Sequence, residues 1–368
     1  MALIDQPVDT LDTPTLILDL DALEHNLTRM ADSARKAGVQ LRPHAKAHKS
    51  AEIARLQIAL GAVGVCCQKL SEAEAMVQAG VDDVLVTYPI VGPHKMNRLA
   101  GLARHATVAA IADNPDQVAA FGRVAREHGV TLTLLVDVYP GGMRGGVDPG
   151  VPALRLSQLI AGTPGLAFGG LQAYNGAAQH VRDYGQRRQA FESYADAIRD
   201  TRDRILNSGL PCASITGSGT GTFAWEAQSG VFTELQPGSY VFMDADYALN
   251  QERDADVDGF RHSLFVLTTV VHSARAGFVL VDAGVKALNT DPAQAWVWGQ
   301  PDLLYTPTGD EQGRIDVPRG RALPALGQQL LLVPGHCDPT VNLHDEMVAV
   351  RASRVQAVWP VTARGAMT

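Results

Sequence analysis

The chain has 368 residues, with 31 Lys and Arg against 39 Asp and Glu, a formal net charge of −8. Hydrophobic residues make up 46 % and charged residues 19 %, a globular composition long enough for roughly two domains or one large barrel with a smaller module. The acidic balance excludes the clustered basic face that a nucleic-acid partner needs. No stretch approaches the roughly 18 uninterrupted apolar residues of a membrane helix. The N-terminal MALIDQPVDTLDTP has neither a basic region nor an apolar signal core, and the four cysteines (Cys66, Cys67, Cys212, Cys337) are too irregular for a disulfide framework. The expectation is a cytoplasmic protein with no membrane contact.

Up to about residue 250 one unit repeats: a short β-branched run, a polar loop and an amphipathic helix. The first helix is predicted over 20–37, with Leu23, Leu27, Met30 and Ala34 on one face. VQLRPHAKAH, AVGVCC, DDVLVTYP, ATVAAIAD, TLTLLVDV, LAFGGLQAY, CASITGS and TELQPGSYVF read as eight strands after residue 38. Between them, Ser71 is placed as an N-cap, and NPDQVAAFGRVAREHG reads as a helix capped by Asn114, with Pro115 in its first turn and Gly129 at its end. A long helix is expected over about 183–208. Eight strand–helix units point to a closed (β/α)8 TIM barrel over 15–250, the open doubly wound sheet being the alternative. From 251 the texture turns to β-runs (FRHSLFVLTTVV, GFVLVDAGVKAL, AWVWG, LLYTPT, QQLLLVPG), a second, C-terminal β-rich domain over 251–368. Residues 1–14 are grouped with it, and TPTLILDL is expected to add a strand.

In such barrels chemistry collects at the C-terminal ends of the strands, where the unusual residues of this chain fall. The first strand runs into RPHAKAHK. If that stretch is extended, His44, Lys46 and His48 share the interior face and Lys49 points to solvent. Desolvation there lowers an amine's pKa and suits Lys46 to imine formation. Thr216-Gly217-Ser218-Gly219-Thr220-Gly221 opens a helix after the seventh strand, a phosphate cradle by its glycines, hydroxyls and helix end. An amine above such a cradle points to pyridoxal 5′-phosphate held as a Schiff base. In the β domain, His336-Cys337-Asp338, if extended, turns His336 and Asp338 to one side and Cys337 to the other. That N,O pair suits Mn2+, Mg2+ or Zn2+, whereas a His336–Cys337 pairing, which needs irregular backbone there, would suggest zinc. His25, His94, His105, His128, His262 and His272 have no such company and read as surface or packing residues.

RPHAKAHKS, LQAYNG, TGSGTG, ELQPGSYVFMDADY and PGHCDPTVNLHD, in this order, resemble the metal-activated fold-type III pyridoxal phosphate enzymes over about residues 12–355. The D-threonine aldolase group is the nearer likeness, and the D-serine and 3-hydroxyaspartate dehydratases are its neighbours. The resemblance implies an alanine-racemase-like barrel with a β domain, and a homodimer with active sites at its interface. Lys46 would be the Schiff-base lysine and Gln68 would lie beside the ring. Arg144 and Tyr174 would contact the ring or its substituents. Thr216, Gly217, Ser218, Gly219, Thr220 and Tyr240 would hold the phosphate. His336 and Asp338 would bind the metal, and His180 is the candidate base, with a metal-bound hydroxide as its rival. The dehydratases typically show His-x-Cys where this chain has His336 and Asp338, which favours aldol cleavage of D-β-hydroxy-α-amino acids (D-threonine, D-phenylserine, D-3-hydroxyaspartate). A dehydratase and a non-catalytic carrier of the cofactor are the alternatives. VDVYPGGMRGGV, which carries Arg144, departs from the DVGQGRCGV-like segment usual in the group.

Overall fold

The structure is a computed structural model that describes residues 3–251 and 259–368. β1 (Thr15–Asp19) leads into α1 (Leu20–Ala37). Strand–helix pairs follow: β2 (Gln40–Leu41) and α2 (Ala51–Ala59), β3 (Val65–Cys67) and α3 (Leu70–Gln78), β4 (Asp83–Val86) and α4 (Pro93–Leu102). Next come β5 (Thr107–Ala112) and α5 (Pro115–His128), β6 (Leu132–Asp137) and α6 (Val151–Gly162), and β7 (Leu166–Ala173) and α7 (Tyr184–Asn207). The series ends with β8 (Ser214–Gly217), α8 (Phe223–Gln228), β9 (Glu234–Leu235) and α9 (Ala245–Ala248). The remaining elements are β10 (Leu264–His272), β11 (Phe278–Val281), β12 (Trp296–Val297), β13 (Gln300–Pro307), β14 (Gly313–Asp316), β15 (Gln329–Val333), α10 (Cys337–Val341), β16 (Glu346–Arg351) and β17 (Arg354–Pro360).

These elements fall into two units. The first comprises Met30–Lys46, Ala51–Gly238 and Ala366–Thr368. Its eight strands pair in parallel in the order β2-β9-β8-β7-β6-β5-β4-β3. The ring closes where the chain beyond β2 meets β3: the Cys66 amide donates to Pro43 and the Ala45 amide to Cys66, each at 2.8 Å. This is the expected barrel, with β2 and β9 reduced to two residues each. Strands covered on both faces need apolar side chains throughout, hence VCC, DVLV and LTLLVD; inside the ring Cys66, Leu85 and Leu135 pack together against Ala109. Helix punctuation holds at α5, where Asn114 Oδ1 accepts the Asp116 amide at 2.8 Å and Gly129 closes with φ 65°. Such a cap is worth about 1 kcal/mol. Asp183 caps α7 in the same way, through the Gln186 amide. Ser71 does not cap α3. That helix starts one turn position earlier, at Leu70, and the Ser71 hydroxyl accepts the Thr368 amide instead.

The second unit comprises Met1–Arg29, Ala47–Ser50 and Ser239–Gly365, so it takes in more of the chain around Thr15–Arg29 and Ser239–Asn250 than the expected boundaries assigned to it. Its nine strands run in the order β11-β14-β13-β12-β15-β10-β1-β16-β17. The N-terminal strand joins it as expected: β1 lies antiparallel to β10 and parallel to β16. Ile17, Phe265, Leu267, Val333, Val348 and Val355 form its core beneath Leu11 and Ala245.

Candidate active site

Because the barrel strands are parallel, their C-terminal ends open at one end. There a cavity of about 550 Å³ is lined by His44, Lys46, Gln68, Thr87, Tyr88, Pro89, Asp137, Pro140, Met143, Arg144, Gly145, Gln172, Tyr174, Ser218 and Gln236. Lys46 reaches it from a turn rather than from a strand. The chain leaves β2 after Leu41 and turns through 45–48, so the alternation expected for an extended segment fails. His44 and Lys46 still share the cavity, with the Lys46 amide 3.4 Å from His44 Nδ1. His48 belongs to the other unit, wholly buried, its Nδ1 accepting the Ser50 amide at 3.1 Å. Lys49, expected in solvent, is buried too; at φ 49° the backbone turns it inward, and Nζ donates to the Ala363 carbonyl.

His44 Nδ1 accepts, so Nε2 carries the proton and donates between Gln68 Oε1 and Thr87 Oγ1, both at 3.1 Å. Gln68 is thus fixed against His44 in the wall of the same cavity. On the opposite wall the Arg144 guanidinium stands 5.3 Å from the centre of the Tyr174 ring. It also occupies the space beside Gly176, where a Cβ would lie 2.3 Å from Nη2. Asp137 ends β6 in the same cavity, its carboxyl pushed up to about 7 by burial and by Asp113, against the pull of Arg144. Gln172 and Gln236 exchange amide hydrogen bonds of 2.8 and 3.0 Å at the ends of β7 and β9.

The Gly-rich loop is built for an anion. Ser218 holds φ 85°, a left-handed conformation costly for a residue with a Cβ. Ser218 Oγ and Thr220 Oγ1 are buried with no partner in the protein, a loss of about 1–3 kcal/mol each that phosphate oxygens would recover. Behind the loop, Gln179 accepts the Gly221 amide at 2.9 Å and donates to Thr222 Oγ1 at 2.8 Å. The loop therefore fits a phosphate through Ser218 and Thr220, while Gly217 and Gly219 have no room for a Cβ, which would lie 2.1 Å from the Ala173 carbonyl and 2.4 Å from Gln179 Oε1, respectively. Thr216, expected among the donors, spends its hydroxyl on Glu234 at 2.7 Å, because its side chain faces the barrel interior. Tyr240 is a fully buried member of the β unit, its ring 5.6 Å from that of Phe260. His180 ends the short turn Ala177–His180 and is exposed; it is not among the residues lining the cavity.

The β unit holds the second constellation. His336 is extended, at φ −140°, but it caps α10, so Asp338 stands in a first helical turn and not two residues along a strand. The turn nevertheless brings Asp338 Oδ1 to 3.8 Å from His336 Nε2, a gap that one divalent cation can bridge. Cys337 does not point away as expected. Its Sγ lies 3.4 Å from Asp338 Oδ1, and Asp244, His336 and Cys337 offer ligand atoms within 4.8 Å of one another. Burial, then Asp244 and Asp338, push the Cys337 thiol well up in the absence of a cation. The pair that fits a hard or borderline cation is His336 and Asp338.

The alanine racemase N-terminal domain family matches residues 18–246, and the putative serine dehydratase domain family matches residues 263–350. A D-threonine aldolase of Arthrobacter sp. is 43 % identical over 98 % of this chain and 94 % of its own length. The chain belongs to the D-threonine aldolase family. A 3-hydroxy-D-aspartate aldolase of Paracoccus denitrificans is 40 % identical over 96 % of this chain and 92 % of its own. The crystal structure of D-threonine aldolase from Filomicrobium marinum superposes with a TM-score of 0.97 at 45 % identity, each chain covered completely.

For a D-threonine aldolase family member, the barrel cavity is the expected seat of the pyridoxal phosphate cofactor. Several of its residues carry no motif that sequence reasoning could weigh. His44 was visible only as a neighbour of Lys46. Thr87, Asp137 and Gln172 stand out in the sequence as polar residues at strand ends, without a role attached, whereas Gln236 carries no signal. Asp244 lies inside the quoted ELQPGSYVFMDADY, where only Tyr240 drew a role; its signal was an Asp placed to cap a short helix.

Proposed function

We propose that the chain is a carbon–carbon lyase that cleaves D-β-hydroxy-α-amino acids to glycine and an aldehyde. It holds pyridoxal 5′-phosphate on Lys46 and a divalent metal ion on His336 and Asp338. The observation that carries the reading is the convergence of an amine (Lys46), a guanidinium over an aromatic ring (Arg144 and Tyr174) and an unpartnered hydroxyl (Ser218) in one cavity. When bound, the cofactor accepts the electron pair left on Cα and the metal acidifies the β-hydroxyl.

The chain's own residues do the rest. Lys46, which lines the cavity, would hold the cofactor through its amine. His44, locked between Gln68 and Thr87, keeps the floor beside Lys46 in one hydrogen-bonded arrangement. Arg144 and Tyr174, packed guanidinium on ring, would orient the cofactor in the cavity. Ser218, Thr220 and the backbone of Gly217 and Gly219 anchor the phosphate, with Tyr240 also assigned to it. His336 and Asp338 would hold the metal, which would supply Lewis-acid chemistry to the β-hydroxyl. We assign removal of the β-hydroxyl proton to His180, which follows the Gln179 that grips the Gly-rich loop. One proton leaves the hydroxyl and one returns to Cα, so the products balance the substrate.

Asp338 supports aldol cleavage over dehydration, since it stands where the similar dehydratases carry a cysteine. An imidazole with a carboxylate favours Mn2+ or Mg2+, with Zn2+ next. Tyr88 and Met143 expose 43 % and 105 % of their surface at the cavity rim, apolar area that a second copy of the chain would cover, which supports a homodimer. The four cysteines are free thiols, as a cytoplasmic protein keeps them. Among the described residues no helix is long and apolar enough to cross a membrane.

Borohydride trapping with peptide mapping tests the assignment. The trapped cofactor is expected on Lys46 and absent from Lys46→Ala; trapping on another lysine overturns it. Chelation, His336→Ala and Asp338→Ala are each expected to stop turnover while the cofactor remains bound. Turnover that survives all three removes the metal from the reading. His180→Ala is expected to lower kcat more than it raises KM, and an unchanged kcat takes the base role from His180.

A further inference from the structure

Asp244 stands at the N-cap of α9 with its carboxylate fully buried. Oδ1 accepts the Tyr247 amide at 2.9 Å. Oδ2 accepts the Cys337 amide at 2.9 Å and lies 2.7 Å from Nδ1 of His336. The backbone holds this arrangement in register, because the Ala245 amide donates to Pro334 at 3.0 Å and the Asp246 amide to Gly335 at 3.1 Å. A carboxylate can only accept. The imidazole proton of neutral His336 therefore sits on Nδ1, and Nε2, the nitrogen 3.8 Å from Asp338 Oδ1, keeps a lone pair for a cation.

We propose that Asp244 is the positioning residue of the metal centre: it fixes the tautomer and the ring angle of His336 so that Nε2 and Asp338 face one ion. The proposal rests on the metal reading given above. Asp244 is not itself a ligand in this scheme. Both of its oxygens are engaged, by Tyr247 on one side and by Cys337 and the far nitrogen of His336 on the other. Outer partners of this kind are typically worth 10–100-fold in metal affinity, because a ring that is free to rotate or to move its proton presents a ligand lone pair only part of the time.

The cofactor-loaded, metal-free protein is titrated with Mn2+ alone, and the free aqua ion is followed by electron paramagnetic resonance. Asp244→Asn keeps the shape, but an amide can accept at only one of the two positions where the carboxylate accepts, so one set of N–H partners is turned against an NH2 group. The dissociation constant for Mn2+ is expected to rise by roughly 10–100-fold, with the amount of cofactor trapped on Lys46 unchanged. Asp244→Ser retains a cap for Tyr247 but is too short to hold His336. It is expected to lose affinity at least as far, which separates positioning from helix capping.

Wild-type affinity in either variant overturns the proposal. Failure of the unaltered protein to bind Mn2+ or Zn2+ at all would instead overturn the metal reading beneath it. Nitrogen NMR of the unaltered, metal-free protein provides a readout that needs no change at Asp244. The His336 ring, assigned by its loss in His336→Gln, is expected to be protonated at Nδ1; protonation at Nε2 overturns the proposal.

Discussion

Gln179 fills the space that a side chain at Gly219 would need: a Cβ there would lie 2.4 Å from Gln179 Oε1 and 2.5 Å from its Cδ. The same amide accepts the Gly221 amide and donates to Thr222 and to the Asn175 carbonyl. One buried side chain thus ties the segment after β7 to the Gly-rich loop, and the loop can carry no Cβ where the two meet. Gly219→Ala is expected to push Gln179 out and to weaken cofactor retention about 10-fold, some 1.4 kcal/mol. Because both changes strike one contact, Gly219→Ala should add little once Gln179→Ala is present. Cofactor release from the two single variants and the double variant checks this, and simple additivity would contradict it.

Arg187 makes a second tie between the same segments. It is fully buried, with Nε donating to the Gly221 carbonyl at 3.1 Å and Nη1 to the carbonyls of Val181 and Arg182. A lysine has no fork to reach three carbonyls at once. Arg187→Lys is expected to cost about 3 kcal/mol, since it leaves buried acceptors without donors. Denaturant unfolding of the cofactor-free protein measures it; a loss within 0.5 kcal/mol, the range of an ordinary surface change, would contradict the assignment.

Asp137 gives the barrel a pH dependence of definite sign. Its folded carboxyl is raised from 3.8 to about 7, so between those limits the folded chain binds a proton that the unfolded chain has released. Stability contributed by this group therefore falls as pH rises from about 4 to about 7 and is level above that. Asp137→Asn removes the titration while keeping the shape. The variant is expected to gain on the parent by about 3 kcal/mol between pH 4.5 and pH 8. Parallel stability curves for the two proteins would show that Asp137 titrates normally.

If His336 and Asp338 hold the ion as proposed, Asp338 sets the kind of metal. Replacing its oxygen by sulfur in Asp338→Cys makes an imidazole–thiolate pair, which is softer. Affinity for Mn2+ is expected to fall and affinity for Zn2+ to rise, as read by calorimetric titration of the metal-free protein. Unchanged relative affinities would mean that Asp338 does not touch the ion.

The barrel was legible because buried parallel strands are short apolar runs between capped helices. Asn114, Pro115 and Gly129 punctuate α5 where the pattern placed them. β2 and β9 were found despite having two residues each, since the apolar and turn residues around them keep the repeat. The site was less legible where its geometry depends on local backbone. Both alternation arguments assumed extended chain: at 44–49 the chain turns and buries Lys49, and at 336–338 it starts a helix. Lys46 with His44, and His336 with Asp338, still come together, because a tight turn and a helical first turn can bring such near neighbours to one side. Asp244 could not be paired with His336 from the chain alone, since they are far apart in sequence and are brought together by the 245–246 to 334–335 backbone bonds and the Cys337 amide. Thr216 shows the converse: a hydroxyl inside a phosphate-type motif that folding commits to Glu234.

The most direct test is product identification by mass spectrometry. The protein, loaded with pyridoxal 5′-phosphate and Mn2+, is incubated separately with D-threonine and with D-3-hydroxyaspartate. Glycine together with acetaldehyde or glyoxylate is the predicted result. A 2-oxo acid with ammonia would contradict it and make the chain a dehydratase.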